Sequence, residues 1–108
     1  MPTSALPAVT GDTFTADVLE SERPVLVDFT AVWCAPCRVM APVLDALAGE
    51  RDDVRFVTVD VDAEPELAAR HEVLSAPTFV LFRAGAPVLR LVGSRPRRRL
   101  ERELDAVL

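Results

Sequence analysis

Cys34 and Cys37 stand in AVWCAPCRVM (31–40), two residues between them, and they are the only cysteines in the chain. A pair at this spacing supports three kinds of chemistry: a structural staple, half of a metal site, or dithiol–disulfide exchange. A staple is disfavoured, because closing so short a loop constrains little of the unfolded chain. A zinc site needs about four ligands. The chain has no second CxxC, and His71 is its only histidine, so a metal site would need a second chain. An interchain iron–sulfur site stays open on that ground. Redox exchange is the expected use of CxxC beside a βαβ pattern in a cytosolic protein.

The flanking segments supply that pattern. PVLVDFT (24–30) is a short apolar run rich in β-formers and reads as a buried strand. VRFVTVDVD (54–62) reads as a second strand, with Val54, Phe56, Val57, Val59 and Val61 apolar. Between them, Val39, Met40, Val43, Leu44 and Leu47 recur at helical spacing, with Gly49 as the expected stop and a kink expected at Pro42. The two strands should be parallel with a right-handed crossover. Downstream, EPELAARH reads as a short helix. PTFVLFR and PVLRLVG read as antiparallel strands joined by AGA, where Gly85 takes positive φ. PRRRLERELDAVL closes as an amphipathic helix with Leu100, Leu104, Val107 and Leu108 on one face, and DTFTADVLES forms a helix near the start. The sum is an α/β domain with a central mixed sheet and helices on both faces, spanning 1–108 with 1–7 as an N-terminal extension.

The cysteines therefore sit where a strand's connection enters a helix. Free N–H groups and the positive end of the helix stabilise a thiolate there. Cys34, at the tip, is expected to be the exposed, acidic thiol, and Cys37, one turn in, the shielded one. Pro36 suits the first turn, where its missing N–H would be unpaired anyway.

Bulk properties narrow the function. The net charge of −5 argues against nucleic-acid binding. No apolar run approaches the roughly 20 residues of a membrane span. The opening MPTSALPAVTGDTF has no basic segment followed by an apolar core, so a cytoplasmic location is expected. Arg supplies every basic residue except His71.

Several short motifs stand in register from Val9 to Leu108: VDF (27–29), WCAPC (33–37), Pro42, VDVD (59–62), APT (76–78) and VG (92–93). Together they make the chain resemble the thioredoxin family. The resemblance implies a thioredoxin fold, with a mixed five-stranded sheet flanked by four helices and an added strand near Ala8–Thr10. It implies a general protein-disulfide reductase in which Cys34 attacks and Cys37 resolves. No bound cofactor is implied; reducing equivalents come from NADPH through a thioredoxin reductase, and the other partners are disulfide-containing target proteins. A monomer is expected.

Asp28, inside an apolar run, is expected to be buried with a raised pKa. A solvent-facing position is the alternative that strand alternation permits. The resemblance implies that Asp28 assists proton transfer at Cys37. It also implies a cis bond at Ala76–Pro77, with the Ala76 backbone offered to an extended substrate. Trp33, Ala35, Pro36, Ala76, Pro77, Val92 and Gly93 shape the site or its docking surface on this reading. The chain departs from the family pattern at Thr58, where a buried Lys is frequent, at Thr30, where Trp is frequent, and at Ala35, where Gly is commonest. Arg38 is either a solvated helix residue or a source of positive field at the thiolates. RPRRR (95–99) reads as a solvated helix start or an acidic-partner dock, and His71 as a structural residue whose charge suits a helix end. The rival functions are a thioredoxin-fold oxidant or isomerase, and a paralogue that serves as a binding module.

Overall fold

A computed structural model describes residues 4–108. A π-helical turn (Thr15–Leu19) precedes β1 (Val25–Thr30), α1 (Ala35–Glu50), β2 (Arg55–Asp60), α2 (Pro65–Arg70), β3 (Thr78–Arg83), β4 (Ala86–Val92) and α3 (Arg97–Asp105). The sheet order is β2-β1-β3-β4. β1 and β2 are parallel, with Asp28 opposite Thr58. β3 runs antiparallel to both β1 and β4.

Alternation along the strands divides the core into two layers. Val25, Val27, Phe29, Val57, Val59, Val80 and Phe82 face the N-terminal turn and α2, and pack with Phe14, Val18 and Leu67. Leu26, Phe56, Phe79 and Leu81 face the other way, onto Met40, Leu44 and Leu47 of α1 and Leu100 and Leu104 of α3. The strands read as near-continuous apolar runs because helices cover both faces. Leu100 and Leu104 are fully buried. Truncating such a leucine to Ala costs about 2–5 kcal/mol.

Four details correct the expectations. The sheet has four strands, not five. The segment expected as a strand near Ala8–Thr10 makes one parallel bridge, Ala8 to Thr58. Pro7 has no N–H to give, and the Gly11 N–H, the next donor after Val9 on the edge facing β2, goes instead to the Glu64 carboxylate at 2.6 Å, so the ladder ends after one step. Gly49 does not stop α1, which continues to Glu50 and passes through Pro42. Val39 is 66 % exposed and Leu108 is exposed, so neither belongs to the core face. Residues 1–3 of the expected extension lie outside the described residues. From the rest of it, the Ser4 hydroxyl donates to Asp45 at 2.7 Å, and Leu6 packs against the α1–α3 layer.

The β3–β4 turn behaves as expected. Gly85 has φ +81°, and Ala84 before it also has positive φ. A Cβ at Gly85 would approach the Leu19 carbonyl to 3.1 Å, so both conformation and space favour glycine there.

Candidate active site

Cys34 and Cys37 are joined as a disulfide, with Cα atoms 5.3 Å apart. Cys34 is the N-cap of α1, with extended φ and ψ, and its Sγ accepts the Cys37 N–H at 3.2 Å. Ala35 and Pro36 form the first turn, and Pro36 leaves no orphan N–H there. The sulfur of Cys34 thus occupies the place that a capping oxygen usually takes, where a negative charge gains most from the helix end.

Both cysteines are buried, Cys34 at 2 % exposure and Cys37 at 1 %. The expectation of an exposed Cys34 is corrected for this oxidised form. Cys34 packs with Cys37 and Ala31, and Val61 and Ala76 close over the three.

Apolar side chains rise around this sulfur pair: Val32 at 62 %, Trp33 at 64 %, Val92 at 58 % and Leu74 at 97 % exposure. Trp33 is held by its indole N–H, which donates to Asp62 at 2.7 Å. A shallow hollow of about 100 Å3 lies between Trp33, Val61, Val73, Leu74, Ser75 and Ala76. Val61 and the Val73–Ser75 loop escaped the sequence reading. The available signal was an apolar Leu74 in a loop two residues before APT, with no helical or strand period to explain it.

The Ala76–Pro77 bond is cis. The Pro77 carbonyl accepts the Gly93 N–H at 2.9 Å, and Thr78 pairs with Val92 across β3–β4. The two distant dipeptides, Ala76–Pro77 and Val92–Gly93, are therefore brought together. Gly93 has φ +92° with open space at its Cβ position, so backbone conformation alone favours glycine there.

Asp28 is 3 % exposed, and its Oδ1 has no hydrogen-bond partner. Burial pushes its pKa up to about 7. Its side chain shares the α1 side of the sheet with Leu26, because strand positions alternate. Thr58 stands opposite it and carries no charge to hold the carboxylate ionised. Thr30 and Thr58 help line a cavity of about 150 Å3, together with Leu6, Ala8 and Ala31.

The remaining candidates divide. Arg38 is exposed and donates to the Val32 carbonyl at 2.9 Å, bracing the loop before the cysteines. Arg97, Arg98 and Arg99 are exposed or half-exposed, as a solvated helix start requires, but Arg95 is buried. His71 packs against Phe14, Phe29 and Phe82, with Nε2 buried and unpartnered. Burial, and then the charges of Arg70 and Arg90, lower its pKa. The expectation that a charged His71 suits the helix end is thus reversed: its environment disfavours the charge.

The thioredoxin family model matches residues 5–106. The chain is a member of the thioredoxin family. It is 51 % identical over 108 residues to a thioredoxin of Mycolicibacterium smegmatis, covering 97 % of this chain and 96 % of that one. It is 48 % identical over 106 residues to a thioredoxin of Mycobacterium tuberculosis, covering 97 % and 91 %. A bifunctional thioredoxin reductase/thioredoxin of Mycobacterium leprae is 48 % identical over 101 residues, which are 93 % of this chain and 22 % of that protein. As a thioredoxin-family member the chain is a thiol–disulfide oxidoreductase, a general protein-disulfide reductase with Cys34–Cys37 as its redox pair. Among the described residues no three His, Cys, Asp or Glu side chains converge as a metal site, and no helix is long and apolar enough to cross a membrane.

Proposed function

We propose that Cys34 is the attacking thiolate, Cys37 the resolving thiol and Asp28 its proton acceptor. In the reduced protein, Cys34 Sγ attacks one sulfur of a target disulfide. The target S–S bond breaks, a mixed disulfide forms and one target thiolate leaves. Asp28 then takes the Cys37 proton, through water, and the Cys37 thiolate attacks Cys34 Sγ. The mixed disulfide breaks, the second target thiolate leaves, and Cys34–Cys37 is oxidised by two electrons. A thioredoxin reductase returns those electrons from NADPH, and two protons restore the dithiol. The linked reductase and thioredoxin of the Mycobacterium leprae relative supports this supply.

The observation that carries the assignment is the capping contact. Cys34 Sγ, not Cys37 Sγ, accepts the N–H at the start of α1, so helix-end stabilisation falls on the Cys34 thiolate. Asp28 suits its role because a base with a pKa of about 7 is part-ionised at neutral pH. Trp33, Ala35, Pro36, Ala76, Pro77, Val92 and Gly93 form the docking surface, with the Ala76 backbone pairing to an extended target. The chain acts as a single cytoplasmic domain over 1–108, with 1–7 as its extension, and as a monomer without a bound cofactor.

NADPH oxidation with thioredoxin reductase and insulin tests the assignment. Turnover is expected, and the Cys34→Ser, Cys37→Ser double variant abolishes it. A reduction potential near thioredoxin's roughly −270 mV fits a reductant, whereas one near DsbA's roughly −120 mV marks an oxidant. No turnover with several reductases would contradict the proposed electron supply.

A further inference from the structure

We propose that Arg95 is a positioning residue for protein substrates, tying the Val92–Gly93 rim of the cysteine site to Glu103 of α3. The inference rests on the docking role proposed above for that rim. Arg95 is 8 % exposed, unlike the other arginines of its cluster. Its Nη1 donates to both carboxylate oxygens of Glu103, at 2.9 and 2.8 Å. Its Nη2 donates to the Val92 carbonyl at 2.8 Å and to the Gly93 carbonyl at 3.2 Å, with Nε also near the Gly93 carbonyl at 3.4 Å. The Arg95 backbone N–H points at Met40 Sδ, 3.5 Å away in α1.

Val92 ends β4 at the sheet edge, and Gly93, which follows it, has positive φ. Pairing to β3 and the Gly93 N–H fix one side of this rim, and the Val92 and Gly93 carbonyls are held by Arg95. The planar guanidinium engages an acid on one side and the two rim carbonyls on the other, a fork that a point charge does not reproduce. The Gly93 N–H then bonds the Pro77 carbonyl at 2.9 Å. A continuous path therefore runs from Glu103 in α3, through Arg95 and Gly93, to Pro77 beside the cysteines. A protein target must lie along this rim, whereas a small disulfide need only reach Cys34. Loss of Arg95 should therefore impair the first and spare the second.

The test compares reduced wild-type protein with the Arg95→Met, Arg95→Lys and Glu103→Gln variants. Second-order rate constants are measured by stopped flow with insulin and with the small disulfide dithiobis(nitrobenzoate). Arg95→Met is expected to slow insulin reduction roughly fivefold to tenfold and to leave the small disulfide within about twofold. Arg95→Lys should recover part of the insulin rate, since it keeps the charge but not the fork. Equal losses on both substrates, or an unchanged insulin rate, overturn the proposal. If Arg95→Met does not fold, Glu103→Gln decides: a selective loss for insulin supports the proposal, and an unchanged ratio overturns it. A wild-type protein that reduces neither disulfide would instead overturn the reductase mechanism.

Discussion

Asp28 is buried on one face of the sheet and His71 is half-buried on the other, and each has a buried polar atom without a partner. On the α1 side, burial raises the pKa of Asp28 to about 7. On the other side, burial lowers that of His71. The same desolvation thus disfavours the charged form of both groups, with opposite directions of shift. The surroundings separate them. Asp28 lies on the strand that leads into Cys34, under the helix that carries Cys37. His71 is enclosed by three phenylalanines and ends a helix away from the sulfur pair. On the proposed mechanism an unpartnered buried group is chemistry in one place and packing in the other, and its neighbours decide which.

The largest expected effect separates the two directly. Asp28→Asn should slow resolution of the mixed disulfide roughly tenfold to 100-fold near pH 7, measured by quench-flow with a protein target. His71→Phe should leave that rate unchanged. A loss in both, or in neither, removes the distinction.

Stability against pH gives the next effect. The folded-state pKa of Asp28 lies above its unfolded value of 3.8, so the folded state holds the extra proton between those limits. Stability conferred by the neutral form is complete below about pH 4 and is lost as pH rises through about 7, by about 4 kcal/mol. Asp28→Asn should remove this slope and stabilise the fold by about 2–4 kcal/mol at pH 8, read from urea unfolding.

Thr58→Lys sharpens the account of Asp28. A cation opposite the carboxylate, with the adjacent cavity to receive the longer side chain, should lower the Asp28 pKa by about one to three units. Carboxylate infrared or NMR titration reads it.

The smallest effect belongs to His71. Its folded pKa lies below the usual 6.5, so stability is present above that value and falls as pH drops through it, opposite in sign to Asp28. His71→Phe should flatten this acid-side slope in urea titrations at pH 5–7.

Much of this was legible in residue order. Two short apolar runs separated by a stretch with helical spacing identify β1, α1 and β2, and the cysteines' place at the strand-to-helix junction follows from them. Asp28 was legible as a buried acid because it interrupts an apolar run. The nearness of Ala76–Pro77 to Val92–Gly93 depends on β3–β4 pairing, which local periodicity does not specify. Arg95 was hidden by its neighbours: five residues of RPRRR look equally solvated, and only the return of α3 over the sheet places one of them inside. Family likeness implies more of an N-terminal strand than forms, because it does not reveal that the Gly11 N–H is taken by Glu64.

The central claim is the division of labour between the two sulfurs. Incubating the Cys37→Ser variant, reduced, with a disulfide-containing target and mapping the trapped adduct by mass spectrometry tests it directly. A stable mixed disulfide on Cys34 is predicted, with no comparable adduct on Cys37 in the Cys34→Ser variant. A prominent Cys37 adduct, or no adduct on Cys34, would contradict the account.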